Sequence, residues 1–114
     1  MKIFLICPVR NADAQHSRTA MVYVKSLENK GYKVHWPPRD TDQMASGIDI
    51  CRQNREAIKN ADQVHIFYDS KSQGVHFDMG VAFALGKKMV VVENEPYGEG
   101  KSFSRMIDEW SQNV

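Results

Sequence analysis

Cysteine is scarce. The chain has two, Cys7 and Cys51, in no CxxC or metal-type spacing. Both fall inside apolar patterns and read as small buried side chains in a reducing compartment. The four histidines, His16, His35, His65 and His76, show no metal spacing either. An excess of one charge is also missing: the formal net charge is +1 and the pI about 7.8. With no block of like charge, neither nucleic acid nor an anionic membrane is the default partner. A small anionic ligand remains open, because one or two placed cations suffice for it. The N-terminal apolar run, Ile3 to Cys7, is too short for a signal segment or a membrane span. A cytoplasmic protein is expected.

Several chemical signatures are absent. No GxxxxGK[ST] occurs, which excludes a P-loop, and no GxGxxG follows the first apolar run. Ser72, His76 and Asp78 do not make a hydrolase triad, because GxSxG is missing and the three lie too close together in sequence. Asp69 ends a strand as the phospho-accepting aspartate of a receiver domain does. Such a domain also needs acidic residues after its first strand, where Cys7-Pro8 stand here. No repeat, linker or low-complexity tract interrupts the 114 residues. They fit one domain, 1–114, and at 42% hydrophobic and 25% charged the composition is that of a folded globule.

What is present is an alternation of strands and helices. Ile3 to Cys7 reads as a strand buried on both faces. Asn11 to Lys30 is helical, with Ala20, Val24 and Leu27 on one face, Asn11 or Asp13 as cap and Gly31 as stop. Tyr32 to Trp36 is a second strand ended by Pro37-Pro38, and residues 39 to 46 form a polar loop. Ile48 to Asn60 returns to helical spacing through Ile48, Cys51 and Ile58. Val64, Ile66 and Tyr68 alternate in a third strand, with His65 an inner residue. A helix from about Val75 to Leu85 closes on Gly86. Met89 to Val92 is a fourth strand, and Phe103 to Trp110 a last helix. This order implies an α/β fold: a small doubly wound, flavodoxin- or Rossmann-like three-layer sandwich. Its parallel sheet should run 2-1-3-4, with room for a fifth edge element. Such sheets bind ligands beyond the carboxyl ends of their strands, at the switch between strands 1 and 3. That rule selects residues 8–11, 39–42 and 69–78.

Within those stretches a few side chains can carry chemistry. Asp78 is either an ordinary acidic residue in the first turn of a helix or a carboxylate at the mouth of a site. At that position the macrodipole favours its ionised form. Gly74 and Gly80 bracket it and permit close approach. Asn54 lies on the apolar stripe of the second helix, where a buried amide needs partners. It either bonds a neighbouring loop or orients a ligand or Asp78. Arg10 follows the first strand where a helix opens, a place suited to phosphate or carboxylate, or else a solvated surface residue. Ser72 is a loop serine whose hydroxyl can reach the same anion.

Together these positions resemble the nucleoside 2-deoxyribosyltransferase family, including its branch of 2'-deoxynucleoside 5'-monophosphate N-glycosidases. The strongest part is "SQGVHFDMGVAFALGKKMVVV": a serine loop, a glycine, a carboxylate, a second glycine, then an Ala-containing stretch to Leu-Gly-Lys before an apolar strand. "YKVHWPPRDTD" and "NREAIKNADQVHIFYD" are similar to the family's second strand and its second helix. The resemblance implies that Asp78 stands where the family has its nucleophilic glutamate, and that Asn54 stands where an aspartate helps position substrate. It places Ser72 and Arg10 on the 5'-phosphate side, and Phe4 where a tyrosine often lies near the nucleophile. Pro8, Gly74 and Asp69 complete the expected substrate-binding set. Three catalytic positions therefore depart from the family: Glu to Asp, Asp to Asn and Tyr to Phe.

The chemistry implied is attack of a carboxylate on C1' of the deoxyribose while the base leaves, followed by transfer to another base or to water. No metal or redox cofactor is needed, the partner is a small nucleoside or nucleotide, and a homo-oligomer is expected. The segment around Tyr97 to Trp110 is the expected interface, with Phe103 and Trp110 as apolar contacts. The alternative is a non-catalytic module holding a nucleotide or ADP-ribose-like ligand in the same cleft. The enzymatic reading requires Asp78 to point inward and a pocket beside it wide enough for a sugar.

Overall fold

Alternating burial organises the molecule, which a computed structural model describes over residues 1–112. The first strand, β1 (Lys2–Ile6), is buried from Ile3 onward. Phe4 and Ile6 face one side of the sheet; Ile3, Leu5 and then Cys7 face the other. The remaining strands are β2 (Lys33–His35), β3 (Gln63–Phe67) and β4 (Lys88–Glu93), all parallel, in the order β2-β1-β3-β4. In register, Phe4 lies opposite His35 on one side and Val64 on the other. The expected strand order is the observed one. Among the described residues the sheet has four strands and no fifth edge element.

Helices cover both faces, as right-handed crossovers between parallel strands require. On one face lies α1 (Ala14–Asn29), which sets Ala20, Val24 and Leu27 against Ile3, Leu5 and Cys7. On the other lie α3 (Gly47–Asn60), α4 (Gln73–Ala84) and α5 (Phe103–Gln112). Their Ile58, Val75, Met79, Ala82 and Ile107 close over Phe4, Ile6, Val64 and Ile66. Each of the larger side chains here contributes about 1.5–3 kcal/mol by leaving water, so these two layers fix the frame from which the loops project.

Three boundaries differ from expectation for local reasons. Asn11 adopts a left-handed φ of 63°, so α1 begins later, with the Asp13 carboxylate accepting from the His16 N–H. Pro37-Pro38 does not merely stop β2. The pair opens a four-residue helix, α2 (Pro37–Asp40), where prolines are tolerated because first-turn N–H groups have no helical partner. That turn leaves Thr41 buried, where a polar loop was expected. In α3 the expected apolar stripe is shifted: Ile48 is exposed, Cys51 half-buried, and Asn54 and Ile58 are the buried pair.

Candidate functional site

Position 78 is set by the cap of α4. The Ser72 hydroxyl accepts from the Val75 N–H, so the helix starts at Gln73 and not at Val75. Asp78 therefore lies in the second turn, beyond the N–H groups that give a helix start its positive character. Its side chain points inward and is 5% exposed. Burial pushes the carboxyl up to about 7, and the Asn54 hydrogen bond only partly opposes this. The expectation that the macrodipole keeps Asp78 ionised is thus corrected: desolvation dominates.

Asn54 comes to Asp78 because α3 and α4 pack against one another. The Asn54 amide nitrogen lies 3.4 Å and 3.5 Å from the two carboxylate oxygens. The amide oxygen accepts from the buried Thr41 hydroxyl at 2.7 Å, and Thr41 Oγ1 lies 2.8 Å from His35 Nε2. The His35 ring stacks on Phe4 at 5.2 Å between centroids. Phe4 is fully buried and shares its core cluster with Val75 and Met79 of α4. At the end of β1, the buried Cys7 thiol is pushed up to about 12. Burial is the main cause; Trp36 lowers the value, and the neighbouring Asp78 charge raises it further.

The other expected residues divide into two groups. Pro8 and Asp69 line a cavity of about 200 Å³ beyond the ends of β1 and β3, together with Asn11, Asp13, His16 and Glu93. This is the switch point that the strand order selects. Three carboxylates line it, so it suits a polar or cationic group better than a phosphate. Asp78 does not line it. Of the two conditions set by the sequence, the inward carboxylate is met; the side chain is covered by its neighbours, and the cavity at the switch point does not include it. Arg10 stands exposed in the β1–α1 loop. Ser72, half-buried, serves as helix cap.

Gly74 and Gly80 are both inside α4, and nothing in this chain lies closer than ordinary contact to where a Cβ would stand, so no close approach within the chain requires glycine at either position. The β3–α4 loop is itself braced. Asp69 accepts from the Lys71 N–H, Glu95 accepts from the Ser70 N–H, and the His76 ring bridges Tyr68 and the Ser72 carbonyl. His65 is the inner residue expected, bonded through both ring nitrogens to Tyr23 and Gln63. Among the described residues no group of three or more His, Cys, Asp or Glu side chains could hold a metal ion. No described helix is long and apolar enough to cross a membrane.

A sequence model of the nucleoside 2-deoxyribosyltransferase family matches residues 3–108, and the chain belongs to that family. No curated protein matches it in sequence. Among solved structures it is similar to a CMP N-glycosidase, BcmB, from Clostridium botulinum. There the TM-score is 0.72 at 22% identity, over 97% of this chain and 83% of that one. It is also similar to a 2-deoxyribosyltransferase from Bacillus psychrosaccharolyticus, with TM-score 0.71 at 20% identity over 96% and 82% of the two chains. A third is the 2-desoxiribosyltransferase of Leishmania mexicana, with TM-score 0.61 at 21% identity over 90% and 75%. At these identities the likeness carries the fold. Membership places the chain among glycosyl-transferring enzymes.

Proposed function

We propose that this protein cleaves or transfers the N-glycosidic bond of a 2'-deoxynucleoside or its 5'-monophosphate, with Asp78 as nucleophile. The observation that carries the reading is the Asp78 carboxyl, turned inward and bonded by Asn54; the sequence resemblance aligns it with the family's nucleophile. An ionised Asp78 attacks C1' as the base departs through an oxocarbenium-like transition state. The glycosyl-enzyme then passes to a second base or to water. Asn54 positions the carboxylate; as an amide it cannot carry a proton to the departing base. Arg10 and Ser72 are the candidates for the 5'-phosphate, and Pro8 and Asp69 for the sugar or base side. Phe4 acts behind the site, through His35.

The test is release of free base from a panel of deoxynucleosides and their monophosphates, with Asp78→Ala as control. Absence of release or exchange across the panel overturns the reading. Two points favour a second, non-catalytic nucleotide- or ADP-ribose-binding reading: the carboxyl is covered by its neighbours, and three positions of the catalytic set depart from the pattern the resemblance implies. That reading expects saturable calorimetric binding without turnover.

A homo-oligomer is part of the proposal. Trp110 is engaged internally, its indole N–H donating to the Lys87 carbonyl and its ring meeting Phe83. Exposed apolar side chains stand on several helices: Phe77 and Phe83 on α4, Ile48 on α3 and Phe103 on α5. A helix apolar on all sides is normally covered on all sides, which a second copy accomplishes. A cytoplasmic location goes with the same reading.

A further inference from the structure

Thr41 has no part in the reaction described above and His35 only a supporting one, yet the two continue the contact that Asn54 makes. A threonine hydroxyl has one hydrogen to give. Thr41 Oγ1 nonetheless lies within hydrogen-bond distance of both Asn54 Oδ1 and His35 Nε2. An ionised Asp78 can only accept, so the Asn54 NH2 must face it, which leaves Oδ1 toward Thr41. The Thr41 hydrogen then goes to Oδ1, and the Thr41 oxygen accepts from a hydrogen on His35 Nε2. The opposite polarity turns Asn54 Oδ1 toward the carboxyl, which only a protonated Asp78 tolerates. Charge at one end thus sets the direction of every bond in the line.

We propose that Thr41 and His35 are positioning residues: they lock the Asn54 amide in the orientation that donates to Asp78, and so hold the nucleophile ready. The inference rests on Asp78 being the nucleophile. Stacking of His35 on Phe4 fixes the ring plane, which gives the replacement of a family tyrosine by phenylalanine a structural use at one remove. The charged and titratable groups facing the line are Cys7, beside Asp78, and Arg39 and Asp40 of α2, beside His35. Burial keeps the His35 ring below its ordinary value, and Arg39 is already tied to Glu28 and Asp40.

The experiment follows the Asp78 carboxyl carbon by NMR in protein labelled at aspartate, the signal assigned by its loss in Asp78→Asn. In Thr41→Val, Asn54 Oδ1 loses its donor and the charged form of Asp78 loses support. Its midpoint should rise by about one pH unit, and Thr41→Ser should restore it. His35→Phe keeps a ring on Phe4 and removes the Nε2 hydrogen; a smaller rise is expected. A purely structural Thr41 lowers stability in Thr41→Val and leaves the midpoint at the parent value, which overturns the proposal. If Thr41→Val does not fold, an unmoved midpoint in His35→Phe does the same. The measurement is made on unliganded protein, so failure of every substrate to release base sinks the nucleophile and not this coupling.

Discussion

The Asn54 amide nitrogen meets both oxygens of Asp78, and meets neither closely, at 3.4 and 3.5 Å. Charge-assisted N–H···O bonds are usually about 2.7–2.9 Å. Contacts this long recover little of the hydration that a carboxylate loses at 5% exposure. Burial therefore wins, and the proton is held until about pH 7. The arrangement orients the carboxyl without fully stabilising its charge.

One consequence is a stability that falls with pH. Asp78 binds its proton more tightly in the folded chain, at about 7, than at the ordinary 3.8. Between those values the folded state holds the extra proton, so stability declines as pH rises through the window. Three units correspond to about 4 kcal/mol at most. Asp78→Asn should therefore be more stable than the parent at pH 8, with the gain vanishing near pH 4. His65 acts oppositely: burial lowers it to about 4, so its contribution is lost as pH falls from 6.5. The difference between variant and parent in urea titrations cancels that term. A gain independent of pH contradicts a buried, titrating Asp78.

The same proton controls the rate. Attack needs the ionised carboxylate, so base release should climb about tenfold per pH unit below 7 and level off above it. Asp78→Ala should remove release altogether. A profile that falls with rising pH from 5 to 7 would show that the protonated carboxyl acts, as an acid and not as a nucleophile.

Arg10 should matter to phosphate and to little else. It is exposed in the loop after β1, so Arg10→Ala should leave stability nearly unchanged. Losing a charged hydrogen bond costs about 1.5–3 kcal/mol, which corresponds to at least tenfold in KM for a monophosphate. The matching nucleoside should be unaffected; equal losses for both would take the phosphate away from Arg10.

The fold was readable because each of its main elements has a simple period. The five-residue run before Pro8 reads as a doubly covered strand, and Ala20, Val24 and Leu27 recur at helical spacing on one face. The bond between Asn54 and Asp78 was half-readable: a buried amide on an apolar stripe demands a partner, but the stripe does not name it. Thr41 left no signal, since its burial follows from Pro37-Pro38 opening a helix where the pair looked like a stop. Asp78 was mistaken in its electrostatics for a related reason. Moving the cap back to Ser72 puts it one turn past the free N–H groups, and its burial comes from α3 packing alongside, which no local pattern encodes.

Self-association should depend on α4. Phe83 is 64% exposed and Ile48 60% exposed, on helices that pack side by side. Phe83→Lys, read by sedimentation equilibrium, should shift the protein toward monomer while leaving its circular dichroism intact. Phe103→Lys, in the segment first expected to form the interface, should have the smaller effect. The reverse ranking returns the interface to α5.

Lengthening the nucleophile sets two quantities against each other. Asp78→Glu restores the family's side chain and one methylene of reach, and a misplacement of about 1 Å can cost on the order of 10²-fold in rate. Yet α4 holds position 78 rigidly, with Val75, Met79 and Ala82 of the same helix packed in the core. Overpacking should then cost about 1–3 kcal/mol. The expected variant is therefore faster in base release, by up to about a hundredfold, and less stable in urea. Faster turnover at unchanged stability would mean that the packing around position 78 yields more readily than its burial suggests. A less stable variant without faster turnover would mean that reach is not what limits this site, and would turn attention to the missing proton donor at Asn54.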